Sequence, residues 1–349
     1  MTTPPLHLGK KWGLRRMATP QGHFTMVALD QRPPIAQLIG AKRGIAPADV
    51  SFADMVAVKR TLVDTLGAHA SAMLFDPNYA FPAALQKLPA HTGLVVTLED
   101  HRFRDTPGGR LSHSIDDWSV EKIKRAGGDG VKVLAWYRPD AEPEVLAHQQ
   151  AYVQKIGEEC RQWDIPLVLE LLVYPFPRSE RHTVDYIESP EKMPELVIES
   201  VREFAKPKYG VDLFKLESPL PGATLPARDG SAAPQAAQAW FDQMGAICKG
   251  ANIPWVMLSA GVTPPQFLRV MEYAYAAGAH GFLAGRAVWW QALQHFPDLE
   301  RCAEQLRREG SATLAQLEAL TLRAGNAWQA DYSAFDAMTA EGELCAAYA

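Results

Sequence analysis

The chain has 349 residues, 47% of them hydrophobic and 21% charged, with a formal net charge of −5 at pH 7. That balance excludes a disordered or collagen-like chain, and it offers no basic excess to hold a nucleic acid. No run approaches the ~20 apolar residues of a membrane span, and the polar segment from Met1 to Met17 has no apolar stretch of the kind a secretory signal carries, so a cytoplasmic protein is expected.

Residues 1–20 read as an N-terminal extension. Beyond them short apolar runs alternate with longer amphipathic ones. Strands are predicted at 24–29, 72–75, 94–98, 130–135, 167–172, 213–216, 255–258 and 281–284. Most are near-continuous apolar strings, as parallel strands buried on both faces should be. Helices are predicted between most of them. The first, 52–67, places Met55, Val56, Leu62, Val63 and Leu66 on one stripe behind a Ser51 N-cap. Others follow at 144–163, 190–204, 235–248 and 265–277. The link at 77–93 has room only for a brief helix, and 219–234 reads as a long loop.

Eight βα units in alternation point to an α/β chain folded as a single (β/α)8 barrel over residues 21–296, with a helical tail at 297–349 packed on it. An open doubly wound sheet would need a glycine-rich phosphate turn after its first strand. Asp30-Gln31-Arg32-Pro33-Pro34 stands there instead. The four cysteines are far apart and read as free thiols. The histidines lack metal-ligand spacing, so no metal is expected.

Barrel enzymes work at the C-terminal ends of their strands. Lys132, Glu170 and Lys215 each sit inside an apolar strand, on strands four, five and six. Facing the helix layer would cost each charge its hydration, so all three are expected to point into the barrel and cluster. Two lysines beside a carboxylate suit amine attack on a carbonyl: burial and a second cation favour the neutral amine, and the carboxylate shuttles protons. Lys215, which shares a face with Glu217, is the better nucleophile candidate. Ser259 and Gly261 after strand seven, with Gly285 and Arg286 after strand eight, stand where barrel enzymes often bind phosphate.

Other positions keep two readings. Asp30 either holds substrate hydroxyls or pairs with a lysine, and Gln31 beside it is a substrate-binding candidate. Arg32 is either a second anion site or a rim salt bridge. Glu99 either binds sugar hydroxyls or pairs. Asp76, before Pro77, reads as a turn former, and His101, Arg102 and Arg104 form either a solvated loop or a lid for an anionic substrate.

These residues resemble the class I aldolases of the tagatose 1,6-bisphosphate group, within the DeoC/LacD-like set. The resemblance runs from about Ala28 to Trp328. It is carried by Ala28-Leu29-Asp30-Gln31-Arg32, Met73-Leu74-Phe75-Asp76-Pro77, Trp118-Ser119, Val131-Lys132-Val133-Leu134, Leu169-Glu170, Phe214-Lys215-Leu216-Glu217, Leu258-Ser259-Ala260-Gly261-Val262 and Ala284-Gly285-Arg286-Ala287. It implies a Schiff base on Lys215, proton transfer by Glu170 beside Lys132, and a C1 phosphate on Ser259, Gly261, Gly285 and Arg286. It also implies a phosphorylated sugar substrate and neither metal nor cofactor; a homo-oligomer is expected. One departure stands out. The tagatose-type pattern places a lysine after the glutamate that follows strand three, where this chain has Asp100-His101-Arg102. The sulfofructose 1-phosphate aldolases share the ending from Gly281 to Trp289, so a C6 sulfonate is the alternative to a C6 phosphate.

Overall fold

A computed structural model describes residues 7–176, 193–228 and 231–329, together with residues 179, 344, 345 and 348. Eight parallel strands close into a barrel: β1 (Phe24–Leu29), β2 (Ala72–Phe75), β3 (Gly93–Thr97), β4 (Gly130–Trp136), β5 (Leu167–Leu172), β6 (Leu213–Leu216), β7 (Trp255–Leu258) and β8 (Gly281–Ala284). Each strand pairs with its chain neighbours, and β8 returns to β1 with Phe24 opposite Gly281. That seam needs a glycine: Gly281 has φ 151°, and a Cβ there would lie 1.9 Å from the Phe24 carbonyl oxygen. The (β/α)8 expectation is met. β3 is shifted by one residue and β4 extends by one.

Strand alternation sorts the apolar side chains into two cores. Met26, Leu74, Val95, Val168, Leu213 and Val256 fill the barrel interior. Their neighbours of opposite parity, among them Val27, Phe75, Val96, Leu169 and Phe214, pack under the helices. Continuing the inward parity toward the C-terminal ends, the sequence turns polar and delivers Asp30, Lys132, Glu170 and Lys215.

The helix Phe52–Leu66 starts as expected, with the Ser51 side chain accepting from the Asp54 amide. The helices Pro143–Gln162, Pro194–Phe204, Ala232–Gly250 and Pro264–Ala276 follow the predicted ones closely, though residues 190–192 lie outside the described residues. The loop after β6 is shorter than predicted, since its helix begins at Ala232. A brief helix, Ala80–Ala84, followed by a 3-10 turn, Leu85–Lys87, links β2 to β3. Beyond the barrel, Leu299–Gln305 and Ser311–Ala324 are helical, and Leu314, Leu317 and Leu320 join the outer core. Most of the tail past residue 329 lies outside the described residues.

Helices at Pro33–Arg43 and Val120–Arg125 go beyond the sequence reading, and so do two further elements. Residues 7–17 contain a helix, Leu8–Met17, whose Leu14 and Met17 join the inner core at the N-terminal end of the barrel. After β3 the chain forms a small hairpin, Arg104–Thr106 with Gly109–Leu111.

Candidate active site

Three carboxylates, from the end of β1, from β5 and from the segment after β3, converge on one ammonium. Lys132 Nζ, from β4, lies 2.8 Å from Asp30 Oδ2, 2.5 Å from Glu99 Oε1 and 2.7 Å from Glu170 Oε2. Lys215 Nζ donates to that same Glu170 oxygen at 2.9 Å. Glu170 and Lys215 are register partners across β5 and β6. The expected cluster is therefore present, and Asp30 and Glu99 belong to it. All five side chains are buried.

Burial alone would pull the Lys132 ammonium down, but the carboxylates of Asp30, Glu170 and Glu99 outweigh it and raise its pKa well above the ordinary lysine value. Burial likewise pushes Asp30 up, and the ammonium groups of Lys132 and Lys215 reverse that and hold it far below the usual carboxylate range. Lys132 is thus a fixed cation, and it supplies the positive charge on which three carboxylates close. Among the described residues no group of His, Cys, Asp and Glu side chains is placed to hold a metal ion.

A cavity opens over this cluster. It is lined by Asp30, Gln31, Arg32, Glu99, Lys132, Glu170 and Lys215 on one side and by Ser259, Gly261, Gly285 and Arg286 on another, with Leu134, Trp136, Leu172 and Leu258 as an apolar wall. Several polar atoms in its lining are buried without a hydrogen-bond partner among the described residues: Asp30 Oδ1, Gln31 Oε1, Arg32 Nε and Glu99 Oε2. Of their two readings the structure shows the pairing: Asp30 and Glu99 each put one oxygen on Lys132, and the other oxygen of each has no hydrogen-bond partner among the described residues. Arg32 forms no rim salt bridge among the described residues. Its guanidinium donates to Asn78 Oδ1 at 3.4 Å and to the Glu99 carbonyl at 3.3 Å. His101 also lines the cavity; burial, then the Arg32 charge, push its pKa down to about 4. Arg102 instead turns back onto Asp100, at 2.9 Å, and its side chain is exposed.

At the ends of β7 and β8 the backbone makes a tight turn. Ala260 and Gly261 have φ 49° and 82°, and Val262 N donates to the Ser259 carbonyl at 3.0 Å. Two consecutive left-handed residues are the mark of a type I′ turn, and a non-glycine residue there stores strain. Gly261 gives the Arg286 guanidinium room, since a Cβ would lie 3.2 Å from Arg286 Cζ. The Gly285 amide donates to Ser259 Oγ at 3.3 Å, and the helix Arg286–Leu293 begins beside it. A hydroxyl, a guanidinium and a helix N-terminus meet here, which is the chemistry of an anion site.

Glu217 departs from its expected place beside Lys215. It accepts from the Val173 amide at 2.6 Å and does not line the cavity. Asp76 is the turn former expected, accepting from the Tyr79 amide at 2.7 Å, and it also meets Lys59 at 2.9 Å. Sequence reasoning missed Lys59, although its spacing from Met55 and Leu62 set it on the buried stripe. It also missed the site's outer wall, where Arg110 from the hairpin stacks on Phe103 at 4.1 Å, Trp136 at 4.5 Å and Tyr174 at 5.0 Å. The Thr106-Pro107-Gly108-Gly109 turn was the available signal.

The DeoC/LacD family aldolase model matches residues 24–291. Tagatose 1,6-diphosphate aldolase 2 of Enterococcus faecalis is 30% identical over 333 residues, 93% of this chain and 97% of that protein. Tagatose 1,6-diphosphate aldolase of Lactococcus lactis subsp. lactis is 31% identical over 324 residues, 91% and 97%. Among solved structures, an archaeal fructose-1,6-bisphosphate aldolase, its catalytic lysine bound to a carbinolamine intermediate, aligns with TM-score 0.54 at 19% identity, covering 89% of this chain and 98% of that one. Fructose-bisphosphate aldolase from Plasmodium falciparum aligns with TM-score 0.65 at 12% identity, covering 92% and 96%. These two likenesses support the barrel fold. With most of its length matched by the family model and by relatives at this identity, the chain belongs to the DeoC/LacD family of aldolases.

Proposed function

We propose that the enzyme cleaves a ketose 1-phosphate, tagatose 1,6-bisphosphate foremost, into dihydroxyacetone phosphate and glyceraldehyde 3-phosphate through a Schiff base on Lys215. The observation that carries this reading is Glu170 Oε2, shared between Lys215 at 2.9 Å and Lys132 at 2.7 Å. The relatives named for tagatose 1,6-diphosphate support the choice of sugar.

Glu170 is the base placed to take a proton from Lys215. The free amine attacks C2; an N–C bond forms and the carbonyl oxygen takes up a proton. Glu170 returns a proton to that hydroxyl, and water leaves to give the iminium. Glu170, ionised again, takes the C4 hydroxyl proton and holds it for C3 as the C3–C4 bond breaks, and that bond's electron pair flows into the iminium. The aldehyde departs, the enamine is protonated at C3, and water releases dihydroxyacetone phosphate. Lys132 fixes Glu170 throughout.

Ser259, Gly261, Gly285 and Arg286 bind the C1 phosphate. Asp30 Oδ1, Gln31 Oε1 and Glu99 Oε2 take the sugar hydroxyls, which relieves their buried, unpartnered state. Arg32, which among the described residues donates to neutral acceptors, takes the C6 anion. The test is release of dihydroxyacetone phosphate from tagatose 1,6-bisphosphate, fructose 1,6-bisphosphate and sulfofructose 1-phosphate, with and without EDTA. Cleavage of tagatose 1,6-bisphosphate that is indifferent to chelator is expected. Cleavage abolished by EDTA contradicts the mechanism, and cleavage of the sulfonated sugar alone contradicts the C6 phosphate.

A further inference from the structure

Lys59 belongs to an outer helix, yet it is fully buried. It shares the inward stripe of Phe52–Leu66 with Met55, Val58 and Leu62. Its ammonium has three N–H donors and faces three oxygens, two of them backbone carbonyls that accept from it. It lies 2.9 Å from Asp76 Oδ2, donates to the Gln31 carbonyl at 2.8 Å, and also donates to the Leu29 carbonyl. Both members of the ion pair are 0% exposed.

Such a pair is a poor way to gain stability. Desolvating two charges costs about as much as their attraction returns, and apolar side chains of equal volume commonly do as well. What a hydrocarbon cannot do is hold backbone carbonyls. β1 pairs with β2 up to Leu29 and no further, so the chain leaves the sheet there and its carbonyls need other donors. The two carbonyls on Lys59 bracket Asp30. Asp30 Oδ2 lies 2.8 Å from Lys132, which lies 2.7 Å from Glu170 Oε2, which in turn lies 2.9 Å from Lys215.

We propose that Lys59, anchored by Asp76, is a positioning residue of this aldolase: it fixes the end of β1 so that Asp30 holds Lys132, and through it Glu170, in register with Lys215. The inference rests on the catalytic roles given above.

The experiment measures kcat, KM and the affinity for inorganic phosphate of Lys59→Met, alone and in an Asp30→Asn background. Misplacement on the scale of ~1 Å predicts a kcat lower by about tenfold to a hundredfold for Lys59→Met. Phosphate affinity, which reads the distant Ser259 and Arg286 end, should stay within about twofold of the parent. In the Asp30→Asn background the same substitution should change kcat by no more than about twofold, because its effect travels through Asp30. Lys59→Gln covers the case in which the methionine variant does not fold. One atom shorter, its amide cannot span both carbonyls, and a loss of about threefold or more that vanishes in Asp30→Asn is expected. Full activity of either folded variant overturns the proposal, and so do losses that multiply in the Asp30→Asn background. Wild-type enzyme assayed alongside separates the two claims: failure of wild type to release dihydroxyacetone phosphate overturns the aldolase roles, whereas active wild type with indifferent variants overturns the Lys59 role alone.

Discussion

At the N-terminal end of the barrel, Leu14 and Met17 share the inner core with Phe24 and Met26, and two polar contacts fix the helix that carries them. Lys10 meets Asp212 at 2.7 Å, and Asp164 accepts from the Gly9 amide at 2.6 Å. Trp328 closes over Phe24, with ring centroids 6.0 Å apart. At the C-terminal end the same barrel buries five charged groups, Lys132 and Lys215 among them, strains Ala260 into a left-handed turn and leaves Asp30, Gln31, Arg32 and Glu99 each with an atom unpartnered among the described residues. An unpaired buried polar atom costs roughly 1–3 kcal/mol. One end of the molecule spares that cost and the other bears it, which is how a fold separates the surface that keeps it folded from the surface that waits for a ligand.

The sharpest way to break this contrast is at the charged end. Glu170→Gln keeps the side chain's size and leaves Lys132 with Asp30 and Glu99. It should lower kcat by roughly 10²–10⁴-fold, the usual worth of a positioned acid/base, while circular dichroism reports an intact fold. Undiminished turnover would remove Glu170 from the mechanism. Next comes the anion turn. Arg286→Ala forfeits a charged hydrogen bond worth about 1.5–3 kcal/mol, so KM for the phosphorylated sugar should rise roughly tenfold to a hundredfold with a smaller change in kcat. A KM that does not move would place the phosphate elsewhere.

The sealed end should answer in the opposite way. Leu14→Ala empties part of the inner core and should cost about 2–5 kcal/mol in urea denaturation, with kcat/KM unchanged in the folded protein. Loss of activity without loss of stability would show that the two ends are coupled. The smallest effect concerns His101, whose ring should titrate near pH 4 by NMR. Its folded value lies below the ordinary histidine value of 6.5, so the unfolded chain binds the proton first. Its contribution to stability is therefore present above pH 6.5 and is lost as the pH falls toward 4. Arg32→Gln should raise the midpoint; an unchanged midpoint would show that burial alone sets it.

Much of this contrast is legible in the sequence, because it is written in local pattern. The strands appear as apolar strings, and Lys132, Glu170 and Lys215 stand out as charges that only an inward orientation can explain. The rest depends on tertiary approach. The helix Leu8–Met17 docks through its backbone: a Cβ on Gly9 or Gly13 would lie 2.3 Å from a carbonyl oxygen of Asp164 or Asp129, respectively. No hydrophobic period reports such a contact. Arg110 looks like a surface arginine until the hairpin folds it against Phe103 and Trp136. Glu217 misled for the opposite reason. Its parity with Lys215 suggested a shared face, but it lies past the end of β6, where alternation no longer governs direction.

The central claim is that a covalent bond forms between the Lys215 amine and the ketone carbon of the sugar. Incubation with tagatose 1,6-bisphosphate and borohydride, followed by digestion and mass spectrometry, reads that bond directly. The account predicts irreversible loss of activity and a reduced three-carbon phosphate or intact sugar adduct on the peptide containing Lys215. A fully active enzyme with that peptide unmodified, or an adduct on Lys132 instead, would contradict it.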